Sequence, residues 1–150
     1  MPLGCSFRET MSGSYWLLDA PTEERAIAFD IEASARDVRA LARDKTWLTT
    51  GTIEVERLAS AKPLQGKIAF RLFDERRISH RLEFVGDDGS RYQLIGQLEF
   101  SGLSPVDSLT LLVASLCDDQ DEEIGRATLR LDLRADWMSW IKSFRLRWER

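Results

Sequence analysis

The chain of 150 residues holds one histidine and two widely separated cysteines, too few donors to assemble a transition-metal site. No apolar run approaches the roughly 20 residues that a membrane span requires. Residues 1–11 lack the charged and apolar regions of a secretory signal. Leu3-Gly4-Cys5 looks like the end of a lipoprotein cleavage site, but no apolar stretch precedes it. The expectation is a cytoplasmic chain in which Cys5 and Cys117 are free thiols. Basic charge is not in excess either: the net charge is −4, so no global field draws in nucleic acid or an anionic membrane. There is no phosphate-cradling loop. Ser12 and Ser14 flank Gly13, but in a strand context rather than at the strand-to-helix turn of a nucleophile elbow. No cofactor is expected.

What is present reads as one globular domain over residues 1–150. With 43% hydrophobic and 31% charged residues the composition is that of an ordinary domain. Such a length buries about 70% of the unfolded surface without metal or disulfide staples. Its distinctive feature is glycine in phase with the apolar residues of successive strands: Gly13, Gly51, Gly66, Gly96 and Gly125. A strand glycine permits sharp bending or close backbone approach. Repeated from strand to strand, it predicts a sheet that curls into a barrel or deep half-barrel.

Alternation of apolar and polar residues supplies the strands. Ile78, His80, Leu82 and Phe84 alternate with polar residues, then Asp87-Asp88-Gly89-Ser90 turns the chain into Tyr92, Leu94, Gly96, Leu98 and Phe100. A second hairpin sets Trp47, Thr49, Gly51, Ile53 and Val55 against Leu64, Gly66, Ile68, Phe70 and Leu72, joined across residues 58–63. Phe7, Glu9, Met11, Gly13, Tyr15 and Leu17 form a first strand, and a turn at Pro21-Thr22-Glu23-Glu24 leads to Ile27, Phe29, Ile31 and Ala33.

Spacings of three and four predict a short helix over 34–45, capped by Ser34, and another over 136–144, capped by Asp136. Residues 109–117 are nearly all apolar and fit a strand covered on both sides or a buried helix. Gly125, Ala127, Leu129, Leu131 and Leu133 line a further strand, and Phe144, Leu146 and Trp148 a last one. The predicted fold is mainly β: an antiparallel barrel or strongly curved half-barrel of eight or nine strands, lipocalin-like in outline, with two short helices.

Candidate chemistry is sparse. His80 falls on the apolar face, where an imidazole acts as a general base, faces a ligand, or is simply buried and hydrogen-bonded. Glu9 is in phase with Phe7 and Met11, and a buried carboxylate must be paired or protonated. If the two meet they form a polar dyad in an apolar interior. Asp118, Asp119, Asp121, Glu122 and Glu123 lack the spacing and central glycine of a calcium loop and read as a hairpin tip. Trp137, Trp140 and Trp148 fit core packing, a ligand site or a partner surface.

Three stretches carry a resemblance. Phe7-Arg8-Glu9-Thr10-Met11-Ser12-Gly13 is the first. Arg77-Ile78-Ser79-His80-Arg81-Leu82, leading through Asp88-Gly89-Ser90 to Tyr92-Gln93-Leu94-Ile95-Gly96, is the second. Gly125-Arg126-Ala127-Thr128-Leu129 with Phe144-Arg145-Leu146 is the third. Together they resemble the accessory region of bacterial fusion proteins that carry glucose-methanol-choline (cholesterol-oxidase-like) flavin oxidoreductases. The resemblance covers most of the chain, although residues 104–111 depart from it. It implies association with oxidation of sterol-like or other lipophilic alcohols. Flavin binding does not carry over, because the dinucleotide-binding glycine fingerprint is missing.

The expected function is a non-catalytic barrel that binds or presents an apolar, lipid- or sterol-like small molecule, with Glu9, Tyr15, Trp47, Phe70, His80 and Tyr92 facing it. The alternatives are a protein-interaction module docking on a larger enzyme, such as that oxidoreductase, and a small proton-transfer enzyme using Glu9 and His80 as catalytic groups.

Overall fold

The computed structural model describes residues 3–35, 46–71, 77–99, 111–130 and 145–148. They form β1 (Leu3–Leu17), β2 (Ala20–Ala35), β3 (Thr46–Val55), β4 (Ala59–Arg71), β5 (Arg77–Val85), β6 (Arg91–Glu99), β7 (Leu111–Cys117), β8 (Glu123–Arg130) and β9 (Arg145–Trp148). Each strand from β1 to β8 pairs antiparallel with the next, and β8 returns to β1, closing an eight-stranded barrel. The long β1 is shared on that side: β8 pairs with Ser12–Leu17, while β9 pairs with Leu3–Ser6. Closure removes the free edges that β1 and β8 would present in an open sheet, while β9 pairs with β1 alone among the described strands.

The period of two decides what lies inside. Met11, Phe29, Ile31, Ile53, Ile68, Leu82, Leu94, Leu112 and Leu129 are all at most 2% exposed and come from all eight barrel strands. An eight-stranded barrel has a bore just wide enough for its own side chains. Here the two walls fill it.

Glycine makes the tight closure possible, and Gly51 and Gly66 show how. A Cβ built on Gly51 would lie 1.9 Å from the carbonyl oxygen of Asp30, and one on Gly66 2.0 Å from that of Arg81. The neighbouring strand's backbone occupies the space of the missing side chain, a close approach that only glycine allows at these points. Gly13 meets the carbonyl of Thr128 in the same way.

One end of the barrel is knitted by its turns. Gly89 adopts φ +81° in the β5–β6 turn, where Gly86 N–H donates to the Ser90 carbonyl at 2.8 Å. Asp87 accepts from both the backbone N–H and the hydroxyl of Ser60, each at 3.0 Å, tying this turn to the start of β4. Asp88 accepts from Ser90 N–H and from the Tyr92 hydroxyl.

Three sequence expectations need correction. The first turn is at Leu18 and Asp19, and Pro21, Thr22, Glu23 and Glu24 already belong to β2. The second hairpin turns at residues 56–58, with Pro63 inside β4 opposite Thr52. Ser34 does not cap a helix: it is a β2 residue paired with Ser6 and Leu48. The rest of that predicted helix and the second one at 136–144 lie outside the described residues, which contain no helix. The ambiguous apolar run resolves as β7. It is covered on one face only, because Leu112, Ala114 and Leu116 are buried while Leu111 and Val113 are exposed.

Candidate functional site

Glu9 and His80 meet. β1 and β5 are four strands apart in either direction around the barrel, so these residues rise from opposite walls and bridge the bore. His80 Nε2 and Glu9 Oε1 are hydrogen-bonded at 2.9 Å, 71 residues apart in sequence. His80 is 1% exposed and Glu9 5%. The local reason for the crossing is the size of His80's neighbours. Gly96 pairs with His80 on β6, followed by Ala114 on β7 and Ala127 on β8. The Phe29 ring packs against the imidazole, with centroids 6.5 Å apart.

Two polar atoms in this interior have no partner: His80 Nδ1 and the hydroxyl oxygen of Thr49. Buried polar groups are almost always paired, and an unpaired one costs about 1–3 kcal/mol. Among the described residues, Glu9, Thr49 and His80 are also the only buried polar or charged side chains of the core. The dyad thus has the hydrogen bond that proton transfer needs. Its side chains are nevertheless shut off from solvent, and general acid–base catalysis needs a substrate within reach of the proton.

The other expected ligand-facing residues divide. Trp47 is buried in the core. Tyr15 is buried as well, but its hydroxyl donates to the Glu56 carbonyl in the β3–β4 turn. Tyr92 stacks on Phe84 with centroids 5.6 Å apart, and its hydroxyl donates to Asp88 at 2.8 Å. Burial, then the bond to Asp88, pushes the Tyr92 phenol up to about 12. Both tyrosines therefore brace turns rather than present hydroxyls to the bore. Phe70 lies in β4 opposite Ile78, and its side chain is outside the described residues.

The acidic tip is committed to its own turn. Asp118 Oδ1 accepts from Gln120 N–H at 3.0 Å and from Glu122 N–H at 2.9 Å. Glu123 pairs with Arg126 at 2.8 Å, and that bond holds its carboxyl below the usual range. Cys117 is a free, buried thiol raised first by burial and then by the nearby Glu123, Asp121 and Asp118, which makes it a poor nucleophile. Trp137 and Trp140 lie outside the described residues. The backbone of Trp148 pairs with Leu3.

The outer wall carries what sequence reading missed. A groove of about 630 Å³ crosses the outside of β4 to β8, bordered by Lys67, Ser79, Arg81, Ile95, Val113 and Arg126. A second groove, of about 710 Å³, runs beside the acidic tip and includes Gln65, Glu83, Arg91 and Gln93. Leu48 and Val113 are 57% and 56% exposed, and Ile95 is 37% exposed. The signal was in the sequence: these three apolar residues stand in the outward phase of their strands, where solvated residues are the rule.

No protein-family model, curated protein or solved structure matches this chain.

Proposed function

We propose that this chain is a non-catalytic interaction module that docks on a larger enzyme through the outer wall of its barrel. The observation that carries the reading is the set of exposed Leu48, Ile95 and Val113 on a wall whose interior is already filled. Ile95 and Val113 border one groove, and Leu48 stands on the same wall three strands from Ile95; exposed apolar groups beside a groove offer a contact site. A glucose-methanol-choline-type oxidoreductase is the partner that the sequence resemblance suggests. Isothermal titration of the chain into such an enzyme from the same genome tests this. A saturable complex that is lost in Val113→Asp, with folding intact, is expected; a wild-type chain that gives no heat and no co-sedimentation rejects the reading.

The unpartnered His80 Nδ1 and Thr49 hydroxyl favour a second reading, in which a lipid- or sterol-like molecule enters the bore and hydrogen-bonds to them. The walls must part for it, because core side chains occupy that space. Native mass spectrometry with cholesterol and with oleate discriminates. One bound equivalent that is lost in His80→Leu supports this reading, and an unchanged protein mass rejects it.

A further inference from the structure

Strand register sets side chains into rows across the outer wall, and one row is unusual. Leu48 pairs with Lys67, Lys67 with Arg81, and Arg81 with Ile95. Two cations thus stand side by side between two exposed apolar residues. Like charges directly opposite one another in an antiparallel sheet are destabilising. Among the described residues neither Lys67 nor Arg81 forms an ion pair with a carboxylate.

The neighbours explain why. Ala69 and Ser79 form the adjacent row on one side, and Gln65 and Glu83 the row on the other. Glu83, the one acid among them, accepts from Gln93 Nε2 at 3.2 Å on the side away from β4. Arg126, farther along the groove, already has Glu123. Among the described residues this outward row thus sets two cations without an ion-pair partner in a chain whose net charge is −4.

The fold also limits how a partner engages this wall. β4, β5 and β6 are each paired on both sides, so no edge is open for an added strand. Recognition must go through side chains, and the row sets their order: apolar, cationic, cationic, apolar. Neighbouring strands lie roughly 4.8 Å apart, so Leu48 and Ile95 are about 14 Å from one another.

We propose that the outward row Leu48–Lys67–Arg81–Ile95 seats an acidic segment of a partner protein, with carboxylates over Lys67 and Arg81 and apolar side chains on Leu48 and Ile95. This rests on the docking reading above and names the chemistry of the docked surface. A partner of this kind relieves the repulsion between the cations and covers the apolar side chains in one event. Two neighbouring cations are a small patch in a chain of net charge −4, too little to hold a polyanionic nucleic acid or membrane surface by field alone.

The test uses the full chain and the oxidoreductase of the preceding section. Lys67→Glu/Arg81→Glu is expected to weaken the complex at least about tenfold, with most of the loss in association rate. Raising salt from about 50 mM to about 500 mM should weaken the wild-type complex and leave the double variant almost unchanged. Arrays of overlapping partner segments should light up at an acidic stretch containing apolar residues. Should the double variant bind as wild type, or its salt dependence match the wild type's, the acidic-segment proposal is wrong while docking stands. Absence of any wild-type complex rejects both. Wild-type binding to phosphatidylserine vesicles or single-stranded DNA, with no complex formed with the enzyme, overturns the proposal in favour of those ligands.

Discussion

The bore and the outer wall of this barrel obey opposite rules. Inside, buried polar side chains are few among the described residues, and the crossing from Glu9 to His80 joins opposite walls. Outside, charge is plentiful, yet among the described residues Lys67 and Arg81 form no ion pair, and Leu48, Ile95 and Val113 are exposed. The interior is closed by its own side chains, and the exterior is the part of the molecule on which the docking proposal rests. The comparison also separates the two kinds of incompleteness. Two unpaired atoms in the bore bear on stability, whereas the repulsion between two solvated cations is modest and is lowered further when an acidic group approaches.

The comparison breaks most readily at the crossing. Glu9→Leu or His80→Leu alone strands a buried polar partner and should lower the unfolding free energy by about 3–5 kcal/mol. The double Leu variant should recover much of this, since a well-packed apolar replacement of a buried pair is often neutral. Urea unfolding of the three variants gives the coupling. A double variant as unstable as the sum of the singles would show that the pair is not a closed structural unit.

A smaller contrast sets Gly66 against Ile95. Gly66→Ala forces a Cβ onto the Arg81 carbonyl and should cost about 1–3 kcal/mol by overpacking. Ile95→Ser, on the outer wall, should stay within about 0.5 kcal/mol. Equal losses in thermal unfolding would mean that the outer residue is packed like the core.

The smallest expected effect concerns the knitted end. Asp88 is held below its ordinary value first by the Ser90 N–H and then by the Tyr92 hydroxyl. A carboxyl whose folded value is depressed adds stability above its unfolded value of about 3.9, and this is lost as pH falls through the folded value. Asp88→Asn should therefore show a shallower acid limb in its melting-temperature profile, converging on wild type at low pH. Parallel profiles down the acid limb would show that the Asp88 bonds do not favour the ionised form.

Much of the fold was legible because alternation is local. The inward phase read from Met11, Tyr15, Ile53, Ile68, Leu82, Leu94 and Leu129 is the buried phase of the barrel. Turn positions were less legible. Pro21 and Pro63 suggested loops, but both occur in strands, as tertiary pairing outweighs a local preference. Ser34 reads locally as a helix cap, yet β2 extends through it because β1 and β3 pair with it on both sides.

What the sequence determined by itself is the phase of each strand and, through glycine, the curvature of the sheet: both depend on residues one or two positions apart and on the absence of a Cβ. Tertiary structure alone decided which phases face one another. Glu9 and His80 became a pair because barrel closure placed β1 opposite β5. Lys67 and Arg81 became neighbours because one register of β4 on β5 was selected. A one-residue slip would have moved every such side chain to the other face, and only the packed bore forbids it.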